Sequence, residues 1–264
     1  MSAEYPTVPL PDAQPAAAAA PPRRRKRWVW WLIGAVVLLA VLVVVADIGF
    51  RAYAQGQAEA EIQTQLPDSV DGDVHIAIGG FSFLAQLAAG TFDEVTVDAP
   101  SLTVDGVPVE AHVVATGVPT DFAKPVGDIQ ATLTLDQAAV NDVVQLPDGA
   151  TLELGDGDVS YDGEASVFGL PIGFRVTGAV QAGGDTVTIE PTGIAVTQGS
   201  TSLDLSKLLP GVAKSPITVC VAQYLPQGAS VDTLTVTPGT VTAELSAQQF
   251  VLGEESLRTL GTCG

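Results

Sequence analysis

The sequence predicts an α+β fold, in which a large, curved antiparallel β-sheet is accompanied by a few helices and preceded by a single transmembrane helix. Three observations predict it. Apolar and polar residues alternate with a period of two over most of residues 74–245, turn residues separate the alternating runs, and an uncharged apolar stretch lies near the N-terminus. Alternation is typical of half-buried strands, and short turns favour hairpins over parallel βαβ units.

The alternating runs locate the predicted strands. In the first run, Val74, Ile76 and Ile78 alternate with His75 and Ala77. The other runs are Val95–Ala99, Val107–Ala115, Ile129–Leu135, Leu152–Leu154, Val159–Tyr161, Ile172–Val176, Val187–Ile189, Ile194–Val196, Leu234–Val236 and Val241–Leu245. Turns are predicted at Asp105-Gly106, Asp162-Gly163 and Gly183-Gly184-Asp185, because these residue types favour the tight turns of hairpins.

Two segments break this period and predict helices, and a third helical segment precedes the alternating region. Residues 83–88 have helical spacing after Gly79-Gly80, and residues 138–144 form a second short amphipathic segment with Asp136 as its N-cap. The segment Ala52–Gln65 is rich in helix formers and either continues the preceding apolar helix or forms a helix of its own. Pro67 is expected to end it.

The N-terminal 50 residues divide into a tail and a membrane anchor. Residues 1–22 are rich in proline and alanine and predict a disordered tail. Residues 23–50 contain a basic cluster, Arg23–Arg27, followed by the uncharged stretch Trp28–Ala46. As a helix its 19 residues are about 28 Å long, enough to span a bilayer.

The basic cluster also predicts the orientation of the chain. Under the positive-inside rule residues 1–27 are cytoplasmic, and residues 51–264 form an extracytoplasmic domain of a single-pass membrane protein. The alternative is a cleaved signal peptide, since Ala52-Tyr53-Ala54 resembles a cleavage site. Against it, the apolar stretch is longer than the 7–15 residues usual for a signal sequence.

Charge excludes nucleic acid as a partner. The 264 residues include 11 Lys and Arg against 30 Asp and Glu, for a net charge of −19. After Arg51 the imbalance is steeper, with five basic and 27 acidic residues. Such a surface repels a phosphate backbone.

The two cysteines, Cys220 and Cys263, both lie in the predicted extracytoplasmic domain. An even number of cysteines in an oxidising compartment favours one disulfide between them. No Cys/His cluster predicts a zinc site, and no cofactor is expected.

No motif predicts catalysis. His75 and His112 are the imidazoles available as general bases, and both lie within alternating strands, where an exposed or hydrogen-bonded histidine is the more common explanation. Two acidic turns, Asp71-Gly72-Asp73 and Asp156-Gly157-Asp158, lack the spacing of an EF-hand and are interpreted as solvated turns. A glycosidase that uses paired carboxylates is left as an alternative, but no motif supports it, and the domain has no tryptophan to bind a sugar.

One segment is more specific than the rest. Residues 74–95 read VHIAIGGFSFLAQLAAGTFDEV. They resemble the signature of the actinobacterial LmeA-like phospholipid-binding family, in which a strand runs into a G-F-P-F-L-x-Q helix and then into a second strand. The resemblance extends over about residues 50–250. It departs from the family at Ser82, where proline is usual, and at Ala85, where a polar residue is common.

The resemblance implies a tubular fold, similar to that of the bactericidal permeability-increasing proteins, in which a long sheet wraps one or more helices and leaves an apolar cavity. It implies phospholipid and the membrane as partners, envelope biosynthesis enzymes as possible protein partners, and a role as a lipid carrier or chaperone in lipoglycan assembly. The candidate lipid-binding residues that follow from it are Phe81, Phe83, Leu84, Leu87 and Phe92. The runner-up is a structural envelope protein with a closed core and no ligand.

Overall fold

The computed structural model describes residues 27–65, 69–144, 151–167, 170–198, 201–204, 216–253, 256 and 259–263. The predicted disordered tail, most of the basic cluster and Pro67 lie outside these residues. The chain divides into two compact units, residues 1–44 and residues 45–264.

Helix α1 (Arg27–Gln65) is continuous over 39 residues, so the segment after Ala52 continues the apolar helix. Its apolar part has the length and hydropathy to cross a membrane, as the sequence predicts, and a signal sequence has the same properties. The apolar side chains from Trp28 to Val45 are mostly exposed. This exposure is typical of a helix that meets lipid rather than a protein core.

The two short helices form where the sequence predicts them. Helix α2 (Phe83–Ala89) has Ser82 as its N-cap and Gly90 as its C-cap, with a φ of 80° that glycine tolerates without strain. Helix α3 (Gln137–Val143) begins after Asp136, whose carboxylate accepts the Ala139 amide at 2.7 Å.

The described residues form thirteen strands, and all of their pairings are antiparallel, as predicted. They are β1 (Val70–Asp71), β2 (His75–Ile78), β3 (Thr91–Val104), β4 (Val107–Pro119), β5 (Pro125–Asp136), β6 (Leu152–Leu154), β7 (Asp158–Val167), β8 (Leu170–Ala182), β9 (Thr186–Gln198), β10 (Thr201–Asp204), β11 (Ile217–Cys220), β12 (Ala229–Thr237) and β13 (Thr240–Val251).

These strands form two sheets. The first has the order β1-β3-β4-β5-β13-β12, with β2 also paired to β3. The second has the order β10-β9-β8-β7-β6, with β11 also paired to β9. Alternation has the same period in both, so the sequence pattern does not show where one sheet ends and the next begins. The Gly184 and Val231 backbones join the second sheet to β12.

One predicted turn is wrong. The turns at Asp105-Gly106 and Gly183–Asp185 join hairpins, but Asp162-Gly163 lies within β7. A Cβ at Gly163 would lie 2.6 Å from the Phe174 ring on β8. Gly163 therefore makes room for the packed rings of Tyr161 and Phe174, which is a common use of glycine inside a strand.

Asp162 has a cross-strand role as well. Its carboxylate receives two hydrogen bonds from Arg175, at 2.8 and 2.6 Å, and Glu153 lies 3.0 Å from the same guanidinium. The hydrogen bonds that Arg175 donates to Asp162 raise the pKa of Arg175 above its ordinary value. This ion-pair group joins β6, β7 and β8 on an exposed face.

The predicted disulfide is confirmed. Cys220 at the end of β11 and Cys263 near the C-terminus are joined, with Cα atoms 5.9 Å apart. The two cysteines are 43 residues apart in the sequence, so the disulfide closes a long loop and lowers the conformational entropy of the unfolded chain.

The second half of α1 packs on the first sheet. Val74, Ile76 and Ala99 form a buried cluster, and Ala58 and Ile62 of α1 pack against it. The carboxylate of Glu59 also accepts the Ile76 amide at 2.8 Å. Residues 45–65 of α1 are therefore part of the domain.

Candidate functional site

A cavity of about 730 Å³ lies between the second half of α1, helix α2 and the first sheet. This volume falls within the ordinary range for small-molecule sites. Among the described residues that line it, Thr120 is the one with a polar side chain; the others are alanine, valine, isoleucine, leucine, phenylalanine and proline. An apolar lining of this kind is suited to hydrocarbon.

The sheet wall follows directly from the alternation of the sequence. Val95, Ala115, Ile129 and Ala247 are register partners in successive strands, and all four line the cavity. Val97, Val113 and Ala131 form the next row. Because side chains two residues apart share a face of a strand, the predicted apolar runs become one continuous apolar wall.

The wall has the dimensions of an acyl chain. From Phe92 to Val97 of β3, which both line the cavity, is five residue steps, or about 17 Å at 3.3 Å per residue. Half of a bilayer's hydrocarbon core is about 15 Å thick. A lipid tail of ordinary length therefore fits along the strands.

Helix α1 supplies the opposite wall through Ala54, Ala58 and Ile62. Their spacing of four residues places them on one face of the helix. This four-residue spacing is present in the sequence and is the signal that could have identified these three residues, which were not predicted.

Three of the predicted residues line the cavity: Phe83, Leu87 and Phe92. Phe83 is buried, and its ring stacks on that of Phe92 with centroids 5.6 Å apart. Phe83 and Leu87 are four residues apart and so share the inner face of α2. The contact between Phe83 and Phe92 fixes α2 against the start of β3.

The structure places the other two predicted residues, Phe81 and Leu84, outside the cavity lining. Phe81 precedes the N-cap Ser82 and is fully exposed in a loop. Leu84 follows Phe83 by one residue, which turns it about 100° around the helix and away from the inner face. Helical periodicity thus separates residues that are adjacent in the signature.

Asp47 anchors α2, a role that the sequence analysis missed. One oxygen of its carboxylate accepts the Ser82 hydroxyl at 2.7 Å and the Leu84 amide at 2.8 Å, and the other accepts the Phe83 amide at 3.1 Å. Amides at the start of a helix lack partners within the helix. A carboxylate 35 residues earlier in the chain therefore completes the cap.

The loop before α2 has two further restraints. The Gln86 amide nitrogen donates to the carbonyl oxygens of Gly79 and Ser82, and its oxygen accepts the Asp93 amide at 2.7 Å. Arg51 donates to the Gly80 carbonyl oxygen at 2.9 Å. Gly80 has a φ of +86°, and a Cβ there would lie 2.5 Å from the Gln86 side chain. The Gln86 side chain therefore occupies space that only a glycine at position 80 leaves free.

Phe122 and Phe250 also line the cavity and were not predicted. Phe122 lies in the loop between β4 and β5, and Phe250 lies near the end of β13 opposite Val126. Neither position belongs to the signature. Their place at the cavity depends on pairings between distant strands, which a local pattern does not contain.

The two histidines lie on the other face of the first sheet. Asp98 of β3 pairs with His75 of β2 on one side and with His112 of β4 on the other. All three residues alternate along their strands with residues that face the cavity. His112 Nδ1 forms a hydrogen bond with Asp98. Both imidazoles are exposed there, so neither of them faces the cavity.

Comparison with known protein families matches residues 45–246 to the model of the LmeA-like phospholipid-binding family. The chain belongs to the LmeA-like phospholipid-binding family. The resemblance drawn from residues 74–95 is thereby confirmed. Comparisons with curated proteins and with solved structures find no match.

The family match begins at Val45, at the start of the second compact unit. It includes Asp47 and the cavity-lining part of α1, as well as α2 and most of β13. The matched region thus contains nearly all of the cavity described above. Membership associates this region with phospholipid binding.

Proposed function

We propose that this LmeA-like protein is anchored in the membrane by α1 and binds a phospholipid by holding an acyl chain in the cavity. It acts as a carrier or chaperone for lipid in cell-envelope assembly. The observation that carries the proposal is the apolar lining, which extends over α1, α2 and both rows of the sheet wall. Each methylene taken from water stabilises the complex by about 0.8 kcal/mol. A tail can therefore bind without polar contacts along its length.

We propose that this binding requires no catalysis by the domain. The described lining residues carry no titratable side chain, and the imidazoles of His75 and His112 lie on the opposite face of the sheet. A carrier needs only to shelter hydrocarbon and release it. Envelope biosynthesis enzymes that use the lipid are the proposed partners.

Retention of α1 as an anchor is supported by the contacts of its second half. Cleavage at Ala52-Tyr53-Ala54 would remove Asp47 and Arg51, and with them the hydrogen bonds to Ser82, Phe83, Leu84 and Gly80. The folded domain would lose the cap of α2. The proposed orientation has the N-terminus in the cytoplasm and the domain outside, and it is supported by the basic cluster before Trp28.

The proposal is tested by filling the cavity. Ala115 lines it, whereas its neighbour Thr116 is exposed on the outer face, so Ala115→Phe and Thr116→Phe add the same ring to opposite faces. Displacing two methylenes of lipid weakens binding about tenfold, since each contributes about 0.8 kcal/mol. We expect Ala115→Phe to lower uptake of a fluorescent phospholipid by the full chain about tenfold or more, and Thr116→Phe to leave uptake unchanged.

Thermal unfolding of both variants controls for misfolding. Equal uptake by a folded Ala115→Phe variant and by the Thr116→Phe variant would contradict lipid binding in this cavity.

A further inference from the structure

Phe81 is a fully exposed phenylalanine at the tip of the loop between β2 and α2. It does not line the cavity and stands apart from the core of the domain. Water solvates such a ring poorly, so burial of the ring in an apolar environment is favourable.

The loop holds Phe81 in this exposed position. The Ser82 hydroxyl donates to Asp47, the Gly80 carbonyl oxygen accepts from Arg51, and the Gly79 carbonyl oxygen accepts from Gln86. Restraints therefore act on the residues at both sides of Phe81. The hydrogen bonds thus fix the conformation of the loop in which Phe81 is exposed.

The bracing residues also locate the loop relative to a membrane. Asp47 is the first charged residue after the uncharged stretch Trp28–Ala46, and Arg51 follows one helical turn later. At 1.5 Å per residue both lie within about 8 Å of the end of that stretch along the helix. If the stretch crosses a bilayer, Asp47 lies at the surface of the bilayer, and the loop bonded to Asp47 lies there too.

The mouth of the cavity lies beside helix α2. Leu87 and Phe122 both line the cavity, yet they are 48 % and 60 % exposed, so they form its rim. The Thr120 amide donates to the Gly90 carbonyl oxygen at 3.0 Å, which joins the loop of Phe122 to the end of α2. Helix α2 thus has the Phe81 loop at one end and the exposed rim along its side.

We propose that Phe81 inserts into the leaflet nearest Asp47 and holds the rim formed by Leu87 and Phe122 against the bilayer, so that lipid enters the cavity directly from the membrane. The contact is apolar, which suits a domain with 27 acidic and five basic residues after Arg51, because such a domain gains little from anionic headgroups. This inference rests on the proposed anchoring by α1, and it adds the membrane-facing surface and the route of entry.

A depth measurement tests the contact. Both native cysteines are paired, so Phe81→Cys introduces a single free thiol for an environment-sensitive fluorophore. Val143→Cys is the matched control: Val143 is 60 % exposed on α3, and α3 follows the far end of β5, about 36 Å along that strand from Pro125. The labelled full chains are reconstituted in vesicles of phosphatidylethanolamine and phosphatidylglycerol that contain lipids with a quencher on the acyl chain.

We expect the label at position 81 to emit at shorter wavelength and to be quenched strongly, and the label at position 143 to be quenched little. Equal, weak quenching at both positions would overturn the inference. A chain that does not float with the vesicles would overturn it together with the anchoring. Lipid bound by the same samples in detergent reports separately on the cavity.

A rate measurement tests the route of entry. Phe81→Ser removes the ring without touching the cavity lining, and Val143→Ser removes an exposed side chain at the other end of β5. We expect Phe81→Ser to slow the exchange of labelled phospholipid between vesicles and the cavity about tenfold, because the lost burial of one ring weakens docking. The amount bound at equilibrium in detergent stays unchanged. An unchanged exchange rate would overturn the proposed route.

Discussion

Asp47 accepts hydrogen bonds from Ser82, Phe83 and Leu84, and so it completes the N-terminus of α2 from outside that helix. Its relative exposure is only 9 %. In the sequence it marks the end of an apolar stretch and nothing near it suggests a cap. The contact joins residues 35 to 37 positions apart, which local patterns do not contain.

Asp47→Ala tests this role. Two amides and a hydroxyl lose their acceptor, and an unsatisfied buried donor costs about 1–3 kcal/mol. We expect the free energy of unfolding of the full chain to fall by about 2 kcal/mol, measured by urea denaturation in detergent. Asp142→Ala on the exposed side of α3 is the control and should change little. A loss no larger than that of the control would show that Asp47 does not stabilise α2.

The predicted site residues separate according to helical geometry. Phe83, Leu87 and Phe92 line the cavity because the first two share a face of α2 and the third lies near the start of β3, stacked on Phe83. Phe81 and Leu84 belong to the same signature but face elsewhere. A signature identifies a segment, whereas the direction of each side chain depends on where the helix begins and on what packs against it.

At the scale of elements, α1 is both a candidate membrane span and a wall of the cavity. Its first part is apolar and exposed, while Ala54, Ala58 and Ile62 line the cavity and Glu59 bonds to β2. The sequence left open whether residues after Ala52 belong to the same helix. They do. Asp47 accepts hydrogen bonds from the start of α2 and Arg51 donates one to Gly80, so this part of α1 holds the α2 segment in place.

The contacts of Asp47 and Arg51 with the α2 segment support the proposed retention of the N-terminal segment. We expect the intact mass of the full chain, expressed with export and extracted from membranes, to include the residues before Ala52. Because cleavage there would remove Asp47 and Arg51 from the domain, a truncated product should also unfold more readily. A mature protein that begins near residue 55, with undiminished stability, would contradict the anchor and favour the signal peptide.

Strands were predicted better than sheets. The period-two runs fall within β2 to β9, β12 and β13, because the two faces of a half-buried strand differ in polarity. Two of the runs lie in β9, and no run predicts β1, β10 or β11. Sheet membership depends on pairing between distant segments, such as β5 with β13, and no single run records it. Asp162-Gly163 failed as a turn for a similar reason, since the ring of Phe174 on the neighbouring strand determines the use of Gly163.

At the scale of the whole molecule, the distribution of polarity supports one function. Acidic residues predominate after Arg51, whereas the described lining of the cavity is apolar but for Thr120. An acidic exterior keeps the domain in solution, and an apolar interior of about 730 Å³ provides a place for hydrocarbon. Membership of the LmeA-like phospholipid-binding family agrees with this arrangement.

Native mass spectrometry of the full chain shows whether the cavity holds phospholipid. The chain is expressed with export, so that Cys220 and Cys263 are paired, and the bound lipid is then extracted with solvent and identified. We expect one diacyl phospholipid per chain. A chain that is free of lipid and does not take up added phospholipid would contradict it, and would favour a structural envelope protein without a ligand.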